Sequence, residues 1–359
     1  MGPELMGAKP THRLLLLGTG GIAGHHVEEF AKIPGCRIVA CVDQVPGRAA
    51  AFAAANTIGD FFESLEAAIA WGQFDAAINA TPDGAHMATT LALLAAGKHV
   101  FCEKPLAPNH ADALAMTEAA EAAGVVNMVN LTYRNSPAIQ EARRMVQAGE
   151  IGELRHVEAS YRQSWLVSKS WGDWRVEDKW LWRLSSRHGS TGVLGDVGIH
   201  ILDFATYGAA QDIVSLHADL VTFPKAEGER IGDYVLDAND SVAMMARLTT
   251  GALATIVASR YTTGHANDLS LAMHGTKGAI KVETDGKASN LSACLGKDVD
   301  QQRWRALAMP DVKRNARRFA DALDAGQNGE PSFRRAADMQ KLIDAAFESS
   351  AVRGPISIR

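Results

Sequence analysis

The sequence is poor in the features that would set it apart from ordinary globular chemistry. Cysteine occurs four times in 359 residues, at Cys36, Cys41, Cys102 and Cys294, and no two form a C-x-x-C pair. A disulfide set and a thiolate metal site are therefore disfavoured, and buried reduced thiols in a cytoplasmic protein are the expectation. There is no H-E-x-x-H and no His/Cys cluster, so no catalytic metal is expected. No apolar run approaches the ~20 residues of a membrane-spanning helix. The first 13 residues carry Glu4 and Lys9 but no apolar segment ahead of the first strand, so no secretory signal is expected. Neither sign of charge dominates. With 36 basic and 41 acidic residues the net charge is −5, which argues against general nucleic-acid or anionic-membrane binding. Internal repeats and low-complexity tracts are also missing. What is present is 47% hydrophobic and 21% charged, a composition that folds, over a length that suits two domains.

The first 130 residues alternate between two periods. Short apolar runs at Arg13–Leu17, Arg37–Val42, Phe74–Asn79, His99–Cys102 and Val125–Val129 read as strands. Ala-, Leu- and Glu-rich stretches near 22–33, 46–55, 62–71, 83–97 and 109–124 read as helices. Such alternation predicts a doubly wound parallel sheet covered on both faces. After Tyr133 the texture changes. A helix over Pro137–Ala148 is followed mainly by strand-like runs, with hairpin loops at Thr249–Gly251 and Gly275–Gly278. Further helices are expected near Val193–Tyr207, Val312–Asp324 and Arg334–Val352. The expected fold is thus an N-terminal Rossmann domain over 1–132 and an α+β domain over 133–359. The second has an open-faced, mostly antiparallel sheet with helices on one face. With no linker between them, the two domains are expected to share a large interface.

Gly18-Thr-Gly20-Gly21-Ile22-Ala23 follows the first strand and opens a helix. In this G-x-G-x-x-A pattern the first glycine allows the tight turn and the second lets backbone approach a pyrophosphate. Ala23 lets helix and strand pack closely. The helix N-terminus then offers N–H groups to the phosphates. Asp43 ends the second strand, where a carboxylate can accept from ribose hydroxyls and would repel a 2′-phosphate, favouring NAD over NADP. Two further places carry chemistry. Thr81-Pro82 and Glu103-Lys104-Pro105 fall at the carboxyl ends of neighbouring strands, so Lys104 would point into the nicotinamide crevice. Asp196, His200 and Asp203 lie at i, i+4 and i+7, on one side of a helix. Five of the seven tryptophans (Trp165, Trp171, Trp174, Trp180 and Trp182) lie just before it, interleaved with Arg175, Lys179 and Arg183. This segment could wall a sugar pocket, although some of its rings are expected in the core. His25-His26 reads as solvated or near the phosphates, and His86, which starts the helix after Thr81-Pro82, as a structural candidate.

These motifs, with Tyr133-Arg134 and Gly195-Asp-Val-Gly-Ile-His200, make the chain resemble the Gfo/Idh/MocA oxidoreductases over residues 13 to about 210, and more loosely beyond. Ala23 in place of glycine and the stretch Trp165–Ser190 depart from that pattern. The resemblance implies that Lys104, Asp196 and His200 are the catalytic lysine, aspartate and histidine. It also implies a cis Lys104–Pro105 bond. Cofactor contacts would come from Gly18, Gly20, Gly21, Ile22, Ala23, Asp43, Thr81, Pro82, His86, Glu103 and Lys104. Tyr133, Arg134, Trp182 and Arg183 would join the catalytic groups on substrate. The activity implied is hydride transfer between NAD (NADP being possible) and a secondary alcohol of a sugar or polyol. The enzyme would be a cytoplasmic homodimer or homotetramer assembled through its second sheet. A glycosidase using transient oxidation, a reductase of a carbonyl or diene-diol, and a nucleotide sensor without turnover are the alternatives.

Overall fold

The computed structural model describes residues 12–358, which divide into two units. The first comprises 12–131 together with 313–337, and the second comprises 132–312 and 338–358. The first boundary falls beside the expected one. Residues 313–337, which the sequence reading placed in the second domain, cluster with the first.

The first unit holds β1 (His12–Leu17), α1 (Ala23–Ala31), β2 (Cys36–Val42), α2 (Arg48–Asn56), β3 (Asp60–Phe62), α3 (Leu65–Trp71), β4 (Ala76–Asn79), α4 (His86–Ala95), β5 (His99–Cys102), α5 (His110–Ala123) and β6 (Asn127–Val129). All six strands are parallel, in the order β3-β2-β1-β4-β5-β6. Leu14 to Leu17 are all buried, as an unbroken apolar run must be when helices cover both faces of its sheet. Each such side chain contributes roughly 1.5–3 kcal/mol of burial. Phe30, Phe101, Met128 and Phe319 share one core with Leu14. Helix starts are capped from the sequence: Ser64 accepts from the Ala67 N–H and Asn109 from the Asp112 N–H.

The second unit continues with α6 (Pro137–Gln147), β7 (Leu154–Gln163), α7 (Asp178–Leu181), α8 (Ile199–Ala209), β8 (Ile213–Val221), β9 (Arg230–Ile231), β10 (Tyr234–Val235), β11 (Ser241–Leu248), β12 (Leu253–Ser259), β13 (Asn267–Gly275), β14 (Gly278–Thr284), β15 (Ser289–Leu295) and β16 (Arg305–Ala306). In the first unit α9 (Asn315–Ala325) follows. Then come α10 (Phe333–Val352), which belongs to the second unit from Asp338 on, and β17 (Ile356–Ser357). Nine strands form one sheet, ordered β16-β15-β14-β13-β7-β12-β11-β8-β17, and only β7 and β12 run parallel. Along β11, Val242, Met244, Ala246 and Leu248 are buried while Ala243, Met245 and Arg247 are exposed, the alternation of a sheet covered on one face. The covering helix α8 is buried nearly all round, which fits its apolar sequence.

A candidate dinucleotide site and a candidate catalytic cluster

In the first unit the site begins where β1 ends. Gly18 has φ +88°, and a Cβ there would lie 2.6 Å from the Ala80 carbonyl oxygen, so only glycine lets the turn pass β4 this closely. β1 and β4 are the neighbours at which the strand order reverses, where an open α/β sheet forms a crevice. A cavity of about 640 Å³ opens there, lined by Gly18, Gly20, Gly21, Asp43, Thr81 and Pro82 among others. Ala23 is buried against the sheet and Ile22 is exposed. Asp43 is almost fully buried. Its Oδ2 accepts from the Thr19 N–H (3.0 Å) and hydroxyl (2.7 Å), and its Oδ1 from the Val45 N–H (3.0 Å). Burial alone would raise this carboxyl. The hydrogen bonds, with Arg48 3.7 Å away, outweigh it and hold the group below the usual carboxylate range.

Two expected cofactor ligands have other work. His86 is wholly buried, with Nδ1 2.8 Å from the Pro105 carbonyl and Nε2 2.9 Å from the Thr81 carbonyl. Both partners are acceptors, so the arrangement suits a ring protonated on both nitrogens. Burial works against that charge, but Cys102, the Pro105 carbonyl and Asp83 outweigh it and raise the imidazole to about 10. His86 thus ties the Thr81 turn to the segment after Lys104 instead of facing the cavity. Glu103 is half-buried: its Oε1 meets Asn130 Nδ2 at 2.7 Å and His26 Nε2 at 3.0 Å, and its Oε2 accepts from the Lys104 N–H at 3.2 Å. Burial pushes this carboxyl up, and His26 and Asn130 more than offset that, holding it well below its ordinary range. Glu103 therefore fixes the backbone at Lys104 rather than offering a cofactor ligand. His26, expected in solvent or near the phosphates, is 2% exposed. The Lys104–Pro105 bond is cis.

In the second unit His200 lies on α8, 7% exposed, with the Tyr133 ring edge-on at 5.0 Å. Tyr133 is held by a closed ring of hydrogen bonds. Asn267 Nδ2 donates to Tyr133 Oη (2.8 Å), Tyr161 Oη donates to Asn267 Oδ1 (2.7 Å), and the Tyr133 and Tyr161 hydroxyls meet at 2.6 Å. With those two donors spent, Tyr133 must donate to Tyr161. Burial raises the Tyr133 hydroxyl, which keeps its proton at neutral pH.

The turn before α8 is a π-turn, Leu194–Gly198, and it carries Asp196. Gly192 precedes it at φ +70°, where a Cβ would collide with the Asn239 side chain. Asp196 Oδ2 lies 3.0 Å from Arg260 Nη2 and 3.8 Å from Arg183 Nε. Asp203 does not join it. Asp203 takes both arms of Arg134, at 2.8 and 2.6 Å, with both side chains 4% exposed. Arg134 also stacks on Tyr207 at 4.4 Å. The expectation that Arg134 contacts substrate is therefore replaced by a buried structural pair. Of the tryptophans, Trp165 and Trp174 are core, packed with Leu166, Leu181, Leu184 and Leu236. Trp182 is 36% exposed, with Arg183 stacked on it at 4.5 Å.

The cavity and its glycine turn fit a dinucleotide: Gly20 and Gly21 leave open space where side chains would stand. Among the described residues, no group of His, Cys, Asp or Glu could hold a metal ion, and no helix is long and apolar enough to cross a membrane. The fold and the glycine turn together define a dinucleotide-binding protein of the doubly wound α/β class.

Residues 12–131 match the oxidoreductase family with an NAD-binding Rossmann fold, and residues 139–281 match the GFO/IDH/MocA C-terminal domain. The chain belongs to the Gfo/Idh/MocA oxidoreductases. It is 28% identical to the levoglucosan dehydrogenase of Pseudarthrobacter phenanthrenivorans over 307 residues, 76% of this chain and 77% of that protein. It is also 28% identical to the inositol 2-dehydrogenase of Rhizobium meliloti over 357 residues, 97% of this chain and 99% of that one. A levoglucosan dehydrogenase solved with NADH and levoglucosan shares the fold, with a TM-score of 0.84 and 23% identity over 97% of this chain and 99% of that chain.

Proposed function

We propose that the protein is an NAD-dependent dehydrogenase that oxidises a secondary alcohol of a sugar or polyol. The observation that carries this reading is that the second unit holds a buried imidazole, His200 on α8, and, one turn earlier in the chain, the Asp196 carboxylate. That carboxylate faces two guanidinium groups, one of them from Arg183 at the end of the tryptophan-rich segment. The names of the relatives point to the same class of substrate. Bound nicotinamide supplies the hydride acceptor. His200 takes the hydroxyl proton, and Lys104, as a cation, donates a hydrogen bond to the same oxygen while negative charge develops there. Asp196 accepts from a neighbouring hydroxyl and orients the ring. The two proton carriers, Lys104 and His200, can exchange roles. Tyr133, Trp182 and Arg183 complete the substrate wall, and the ionised Asp43 selects NAD.

The test is an NAD and NADP reduction screen over monosaccharides, anhydrosugars, inositols and glycosides. Net NADH formation with a sugar or polyol supports the proposal. Glycoside cleavage without net NADH would replace it with the transient-oxidation glycosidase. We further propose a cytoplasmic homodimer or homotetramer formed through the uncovered face of the nine-stranded sheet. Met245 and Val257 stand out on that face, 56% and 40% exposed. A monomeric mass by light scattering would refute the assembly.

A further inference from the structure

Arg260 follows β12 and is wholly removed from solvent, with 0% exposure. Its Nη1 donates to the Arg183 carbonyl at 3.1 Å, and its Nη2 to the Gly192 carbonyl at 3.3 Å and to Asp196 Oδ2 at 3.0 Å. Its guanidinium lies 4.9 Å from the centre of the Trp165 ring. Asp240 is the other acid nearby, but its Oδ2 already meets Lys225 Nζ at 2.7 Å and the Phe223 N–H at 2.9 Å. The carboxylate in contact with this buried cation is thus that of Asp196, itself a third exposed. One guanidinium therefore holds three points: the backbone where the tryptophan-rich segment ends, the backbone just before the π-turn, and one oxygen of the turn's acid.

We infer that Arg260 is a positioning residue for the reaction: it fixes the Asp196 carboxylate, ionised and in one orientation, so that the carboxylate acts on substrate only as a hydrogen-bond acceptor. This rests on the dehydrogenase reading above. Among the charged and titratable groups facing Asp196 are Arg260, Arg183, Tyr133 and Tyr161. The two guanidinium groups favour the ionised carboxylate, and both phenols are raised and neutral, so none of the four hands it a proton at neutral pH. A fork donor in a dry site has its geometry set in advance, as positioning demands and a solvated lysine would not provide.

The experiment is a double-mutant cycle on the full chain with NAD, using myo-inositol and levoglucosan as substrates. Arg260→Met and Asp196→Asn are each expected to lower kcat/KM by roughly 10- to 100-fold, and the double variant to be no worse than Asp196→Asn within about threefold. Arg260→Lys, which keeps the charge, is expected to recover part of the loss. Losses that multiply in the double variant, or a Met variant with native kcat/KM, overturn the inference. Melting temperature is read on the same proteins. Asp196→Asn should melt several degrees lower, because it strands a buried guanidinium, and Arg260→Met in that background should restore most of the loss. If Arg260→Met does not fold alone, Asp196→Asn still decides: an unchanged melting temperature overturns the pairing. Wild-type protein that reduces no NAD with any sugar or polyol would remove the dehydrogenase reading, while the melting cycle would still report whether Arg260 and Asp196 are coupled.

Discussion

The two units satisfy their buried polar groups in different ways. In the first, buried and half-buried side chains largely serve the backbone: His86 bridges two carbonyls, Asp43 accepts two N–H groups, and Glu103 holds the Lys104 N–H. In the second, they largely pair with one another, across long stretches of chain in Arg134–Asp203 and Arg260–Asp196 and within one loop-linked stretch in Lys225–Asp240. A site built from backbone holds a ligand that is constant in shape, such as a pyrophosphate. A site built from paired side chains can be re-specified by substitution, which suits the substrate-selecting role proposed for the second unit.

Four measurements test that contrast. The largest expected effect is on turnover: Lys104→Met or His200→Asn should lower kcat about 10²- to 10⁴-fold, with NAD affinity of the His200 variant, read by fluorescence titration, changed only a few-fold. Near-native turnover in either would remove the proposed roles. Next, Arg134→Met strands Asp203 and should cost about 3–5 kcal/mol in urea unfolding, while replacing both partners by apolar residues should recover much of it.

His86→Leu should cost about 1–3 kcal/mol at neutral pH, because two buried carbonyls lose their donor. The folded-state imidazole is raised from 6.5 to about 10, so its contribution is complete below 6.5 and fades as pH climbs through about 10. The gap between wild type and variant should close over that interval, and a gap constant from pH 6 to 10 would show the ring is not held as a cation. The smallest effect belongs to Asp43→Ser, expected to weaken NAD about tenfold and to narrow the margin over NADP, read as a ratio of Kd values.

The same contrast explains what could be read in the sequence. β5 is read to the residue, and β1, β2 and the glycine turn nearly so, because their signals are local runs with fixed spacing. β3 was missed: three residues at a sheet edge, two of them exposed, carry no periodicity. His26 was misjudged because a histidine on a first helical turn has no local mark of the carboxylate it meets 77 positions later, at Glu103. Asp196 and Asp203 fall on one helical face by spacing, yet the π-turn and Arg134, 69 positions away, give them separate partners. Tyr161, Asn267 and Arg260 went unmarked for the same reason: their chemistry arises from strand register and long-range contact. The apolar run of β12 did offer one clue, since a charge, Arg260, follows its last residue, Ser259.

The nine-stranded sheet is bounded on each side by a strand of only two residues. β16 pairs Ala306 and Arg305 with Ser292 and Ala293, and β17 pairs Ile356 and Ser357 with Leu216 and Ser215. An outermost strand with a long row of unused amides is a template on which other chains can polymerise, and terminators this short deny it length. Removing β17 would uncover only Ser215 and Leu216 of β8, because farther along that edge the Ser349 and Ser350 hydroxyls of α10 take the Ala218 and Leu220 N–H groups.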